Sequence, residues 1–108
     1  MLDMNTVITD WFVVSVYDEN LLIGKVLYGT VIDDSSCRYL KGDYVCTSAI
    51  TAINLETKLV KTQTGSLYQI LDNGQYDDIQ LNEFELLRQG CSPQEIKAFR
   101  SAPRHKFH

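Results

Sequence analysis

The chain has 108 residues, 44% of them hydrophobic and 22% charged, with a formal net charge of −4. That length suits one domain able to bury about two thirds of the surface exposed by the unfolded chain, and the composition excludes disorder of the whole. Trp11 to Val14 and Leu21 to Ile23, the longest strongly apolar stretches, fall far short of the roughly 20 residues that span a bilayer, and Met1-Leu2-Asp3-Met4-Asn5 lacks the basic and apolar regions of a secretory signal. A cytoplasmic single domain, with no membrane partner, is the expectation.

Residues 7–17 include Trp11, Phe12, Val13, Val14, Val16 and Tyr17 with no proline or glycine, which predicts a strand buried on at least one side. Asp18-Glu19-Asn20 is a polar turn, and 21–32 reads as a second long strand in which Gly24 and Gly29 mark bends or bulges of a coiling sheet. Asp33-Asp34-Ser35-Ser36 is the first substantial loop and Lys41-Gly42-Asp43 another turn. Strand-like residues follow over 44–54 and 58–63, separated by the turn Leu55-Glu56-Thr57. Thr64-Gly65 and Asn73-Gly74 bracket residues 66–71 and predict two consecutive hairpins, since glycine supplies the positive φ such turns require.

The predicted fold is α+β and mostly β: a small antiparallel meander or SH3-like barrel of five or six strands over residues 1–81, with no helix between strands to carry a parallel crossover. Residues 82–103 then form a helical hairpin. Asn82 stands three residues before Glu85 as a cap and Gly90 ends the first helix, while Ser92-Pro93-Gln94-Glu95 has the serine cap, early proline and glutamate that open a second. Phe84, Leu87, Ile96 and Phe99 give the pair an apolar edge with which to cover an open end or face of the sheet. Pro103 stops the second helix, and 104–108 is a mobile basic tail.

Cys37, Cys46 and Cys91 are too few and too scattered for a disulfide framework or zinc site, and a catalytic cysteine would need a nearby histidine, whereas both histidines are in the tail. His105 and His108 lack a third metal ligand, and the Asp33-Asp34 and Asp77-Asp78 pairs lack the spacing of a calcium loop. Phosphate-binding glycine loops, Cys-x-x-Cys and nucleophile elbows are absent. The expectation is therefore no catalysis, no cofactor and no metal.

Charge is unevenly distributed: residues 1–87 carry a net −8 and residues 88–108 a net +4. Six tyrosines and Trp11 supply amphipathic aromatic surface of the kind that anchors interfaces. Together these predict a small inhibitor or regulator that presents an acidic, tyrosine-bearing surface to a basic protein, with Asp33, Asp34, Tyr39, Tyr44, Tyr76, Asp77 and Asp78 as candidate contacts. A phage or mobile-element antagonist that blocks the nucleic-acid-binding surface of a defence machine is one concrete form, and an immunity protein another. The alternative is a nucleic-acid-binding regulator: residues 87–96 have the outline of a helix-turn-helix, and Lys97, Arg100, Arg104 and Lys106 would meet phosphates.

Overall fold

A computed structural model describes residues 5–35 and 39–101. Strands β1 (Asn5–Asp18) and β2 (Leu21–Asp34) form one long antiparallel hairpin. Beyond β2 lies β3 (Tyr44–Cys46), while β4 (Ile50–Asn54), β5 (Leu59–Thr62) and β6 (Leu67–Ile70) pair antiparallel in succession. β6 lies parallel to the first part of β1, and β7 (Gln75–Gln80) lies parallel to Phe12–Tyr17 of the same strand. The order is β3-β2-β1-β6-β5-β4, with β7 beside β1. A 3-10 turn (Leu81–Glu83), α1 (Phe84–Arg88) and α2 (Pro93–Ser101) follow.

The mostly β architecture with two short C-terminal helices agrees with the sequence. The antiparallel meander or SH3-like barrel of five or six strands does not: among the described residues the sheet has seven strands, is mixed, and is not closed. Two local interactions account for the difference. At residues 44–54 the expected single strand breaks, because the Thr47 hydroxyl accepts the Leu27 N–H at 3.0 Å and donates to the Ser48 carbonyl at 2.7 Å, competing with the ladder. Residues 47–49 thus carry the chain from β3 at one edge of the coiled sheet to β4 at the other. At Asn73-Gly74 no hairpin forms, and the chain continues in the same direction from β6 into β7. There the Trp11 indole N–H donates to the Leu71 carbonyl at 2.7 Å, and the ring lies so close to Gly74 that an added Cβ would fall 2.1 Å from it. The tertiary contact overrides the local preference for a turn.

The β1–β2 register slips between Thr9 and Phe12, so that Asp10 and Trp11 together oppose Gly29; Asp10 adopts φ +51°, which aspartate tolerates better than most residues. An added Cβ at Gly29 would lie 3.1 Å from Ile8 Cδ1 and 3.2 Å from the Thr9 carbonyl oxygen, so glycine suits this crowded crossing. The extra residue switches the faces of β1. Ile8, Trp11 and Val13 join Leu27, Val31, Val45, Val60, Tyr68 and Ile70 in the core within the coiled sheet. Phe12, Val14 and Val16 join Val26, Tyr28, Ile79, Leu87 and Ile96 in a second core beneath the helices.

The helices are fixed at their ends. The Gln80 N–H donates to the Glu83 carboxylate at 2.9 Å, which places Asn82 inside the 3-10 turn instead of at the predicted cap. At the C-terminal end of α1, Gly90 (φ +108°) directs its N–H to the Leu87 carbonyl, and Cys91 bonds Leu86, a Schellman closure. Ser92 caps α2 as predicted: its Oγ accepts the Glu95 N–H at 3.1 Å and its own N–H donates to the Glu95 carboxylate at 2.8 Å. Leu87 and Ile96 are fully buried and Phe84 partly so, whereas Phe99, expected on the buried edge, is 60% exposed. Among the described residues no helix is long and apolar enough to cross a membrane.

Arg100 clamps the helices to the sheet. Its Nε and Nη2 reach the Glu83 carboxylate at 2.6 and 2.7 Å, and Nη2 also donates to the Asp78 carbonyl at 3.3 Å. That hydrogen-bonded guanidinium holds the Glu83 carboxyl below its usual pKa. A carboxyl depressed in the folded state contributes stability above its ordinary titration range and loses it as pH falls through the folded value. Glu83→Gln should therefore lower the thermal midpoint by about 4 °C near neutrality, from roughly 1 kcal/mol, and the difference from wild type should close as melts are repeated below about pH 4. Gly74→Ala should cost about 3 kcal/mol in urea unfolding, because the added Cβ would overlap the Trp11 ring, which its bond to the Leu71 carbonyl and its packing in the inner core hold in place.

Candidate functional site

The end of β2 brings Asp33, Asp34, Tyr39 and Tyr44 into one region. The Asp34 carboxylate accepts the Thr6 hydroxyl and the Tyr39 N–H, each at 2.9 Å, and so fixes the start of the segment leading to β3. Gly42 (φ +96°) then turns the chain, its N–H bonded to the Val31 carbonyl at 2.8 Å, while the Asp43 carboxylate accepts the Leu40 N–H at 2.9 Å. The resulting recess of about 510 Å³ is lined by Tyr39, Asp43, Tyr44, Val45, Cys46 and Arg88. Asp33 is exposed near the end of β2, and Tyr39 is partly buried against the inner core.

Tyr44 is held firmly despite being 43% exposed. Its ring stacks on Tyr28 at a centroid distance of 6.1 Å, its hydroxyl donates to the Arg88 carbonyl at 2.8 Å, and Gly90 lies under its edge, where a Cβ would be 3.0 Å from the ring. Tyr28 in turn meets Phe12 edge-on and donates its hydroxyl to the Gly90 carbonyl at 2.6 Å. Burial, reinforced by the nearby Glu95, pushes the Tyr28 phenol up to about 12, so it remains a proton donor at physiological pH. An aromatic row thus runs from the outer core through Tyr28 to the solvent-facing Tyr44.

Tyr76, Asp77 and Asp78 lie elsewhere, on β7, across β1 and β2 from this recess. Tyr76 is exposed with its ring edge-on to Trp11 at 6.3 Å. Asp77 faces inward: its carboxylate pairs with Lys97 Nζ at 2.8 Å, and its side chain is only 7% exposed. Asp78 stays exposed. The candidate contacts thus form two groups, one of which has a carboxylate already committed.

The same pairs bear on the alternative contacts. Lys97 is bound to Asp77 and Arg100 to Glu83, so both point at the acidic body. Arg104 and Lys106 lie outside the described residues, as do Cys37, His105 and His108. Sequence reasoning missed Asp43 and Arg88, which entered only as a turn residue and as a contribution to net charge. It also missed the exposure of the apolar residues at the β1–β2 tip, which it placed in the second long strand without marking them as surface.

Cys46 is half-buried and free among the described residues. Burial pushes its thiol up to about 11 against the opposing influence of Arg88. By thiolate fraction alone it should react with iodoacetamide roughly a hundredfold more slowly than an ordinary cysteine, because two pKa units separate them. Mass-spectrometric labelling at pH 7.5 should show Cys46 protected in the folded protein and modified in denaturant. Among the described residues no group of three or more His, Cys, Asp or Glu side chains is placed to hold a metal ion.

Comparison with protein-family models, with curated proteins and with solved structures finds no match to this chain.

Proposed function

We propose that this protein is a non-enzymatic binding module that recognises a basic partner protein through Tyr44 and the acidic residues around it. The observation that carries the reading is Tyr44 itself, solvent-facing yet immobilised by stacking on Tyr28, a hydroxyl bond to Arg88 and contact with Gly90. A tyrosine fixed before binding loses little further freedom when covered, whereas ordering a mobile side chain costs about 0.5–1.5 kcal/mol. Asp43 lines the same recess and exposed Asp33 lies three residues beyond Thr30, the strand partner of Tyr44, so both bias encounter toward positive charge.

The described residues carry thirteen acidic side chains against seven basic ones, and the internal pairs Asp77–Lys97 and Glu83–Arg100 remove two of each, leaving eleven against five. That balance favours a basic partner over nucleic acid, whose phosphates such a surface repels. A basic partner is also what an antagonist from a phage or mobile element would meet if it occupied the nucleic-acid-binding face of a host machine.

Capture from lysate of the native cell, with wild type and variants as bait, tests the proposal. Tyr44→Ala should weaken retention of the partner at least tenfold while shifting the thermal midpoint by only a few degrees. Asp33→Lys with Asp43→Lys should slow association and flatten its salt dependence. Tight wild-type binding to mixed-sequence oligonucleotides, falling steeply with salt, would overturn the reading in favour of nucleic acid.

A further inference from the structure

Beside the tip of the β1–β2 hairpin lies a second concavity of about 300 Å³, whose apolar lining includes Val16, Ile23, Val26, Ala49, Leu81 and Phe84. Leu21, Ile23 and Leu81 are 70%, 52% and 45% exposed at this end of the molecule. Such grouped exposure of large aliphatic side chains marks an interaction surface more often than a solvated one. The arrangement is fixed in advance: the Gln80 amide accepts the Glu19 N–H at 3.0 Å and donates to the Glu19 carbonyl at 3.3 Å, tying the tip to the residue before Leu81.

We infer that this groove receives an amphipathic basic segment of the partner protein, its apolar side chains against Ile23 and Leu81 and its Lys or Arg side chains toward Asp18 and Glu19. This deepens the reading above and rests on it. The charge pattern selects the occupant. Among the described residues no charged side chain lines the groove; exposed Asp18 and Glu19 stand at the hairpin tip, where Glu19 is tied to Gln80 next to the groove residue Leu81, and exposed Glu85 follows Phe84 on α1. The nearest base on β2, Lys25, alternates to the face opposite Gly24 and Val26. A second copy of the chain docked here would bring the same acids toward each other, and an anionic bilayer would be repelled by them. The groove also neighbours the Tyr44 recess: Cys46 lines the recess and Thr47 the groove, and α1 has Phe84 in the groove at one end and Arg88 in the recess at the other, separated by about 6 Å of helical rise. One partner segment can therefore cover both.

The test uses three labelled 14-residue peptides: an amphipathic Lys/Leu peptide, its Glu/Leu counterpart, and a Lys/Ser peptide of equal charge without apolar residues. Fluorescence anisotropy at two salt concentrations, with methyl NMR spectra of the protein, gives the readout. The Lys/Leu peptide should bind and shift the Ile23 and Leu81 methyl signals. Ile23→Ser with Leu81→Ser, both at exposed positions, should weaken it at least tenfold. Asp18→Lys with Glu19→Lys should weaken it similarly and remove most of the salt dependence. Equal binding of the Glu/Leu or Lys/Ser peptide would overturn the inference, as would indifference to both variant pairs. So would self-association in sedimentation, or binding to phosphatidylserine vesicles, that the Ile23 and Leu81 substitutions abolish. If these substitutions are silent while Tyr44→Ala still releases the captured partner, only the groove assignment falls; if Tyr44→Ala is also silent, the broader reading falls with it.

Discussion

Between Thr9 and Phe12 the first strand carries one residue more than its partner, and the face that each later side chain occupies follows from that insertion. In an uninterrupted strand, Ile8 would share a side with Phe12 and Val14, because side chains alternate with period two. The bulge at Asp10 instead leaves Ile8 aligned with Trp11 and Val13, while Phe12, Val14 and Val16 turn to the helices. Four consecutive residues, Trp11 to Val14, are thereby buried, each with a core to enter. The break between β6 and β7 lies at the level of the bulge, and the Trp11 ring fills it over Gly74. One irregular step in β1 is thus matched by one interruption in its neighbour, and the two cores meet along the strand between them.

The uneven charge of the chain resolves largely within the molecule. The acidic body and basic C-terminal region meet at Asp77–Lys97 and Glu83–Arg100, across the seam where the helices cover the outer core. An exposed ion pair contributes little, but these carboxylates are mostly shielded, and Arg100 grips Glu83 with two nitrogen atoms while also bonding the Asp78 carbonyl. Fully burying a leucine or isoleucine such as Leu87 or Ile96 contributes roughly 2 kcal/mol. Burial therefore provides the attraction, and the pairs fix the register of the helices over the sheet. Glu85 and Arg88, 3.5 Å apart and both well exposed, have no comparable role.

What could be read from the sequence follows the range of the interactions involved. The first hairpin, the Thr64-Gly65 turn and the Ser92 cap are specified within a few residues, and they occur where local chemistry places them. Asn73-Gly74 carries an equally strong local signal that is overridden by a tryptophan more than 60 residues earlier. The break at Thr47 depends on Leu27, and the parallel pairing of β1 with β6 and β7 depends on a return path that no periodicity encodes. The candidate site divides in the same way. Asp33, Asp34, Tyr39 and Tyr44 lie near one another in sequence and converge, while Asp77 is withdrawn by Lys97, a partner that sequence reasoning had assigned to nucleic acid.

Charge counting therefore located the acidic and basic stretches of the chain but misjudged which of their charges are available. An ionic side chain steers a partner far less once an opposite charge within the fold neutralises it, and the pairs that orient the helices remove Asp77, Glu83, Lys97 and Arg100 from that role. Asp18, Glu19, Asp33, Asp43 and Asp78 remain solvent-facing on the strands and turns, at the rim of the sheet and not over its cores. The apolar and aromatic groups near the first four are of two kinds. Tyr44 is rigid, with its polar end already satisfied, whereas Leu21, Ile23 and Leu81 offer area without direction. In the proposed interface the fixed aromatic would serve as the anchor and the aliphatic surface as the area that excludes water, which is how strong contacts are separated from merely covered ones.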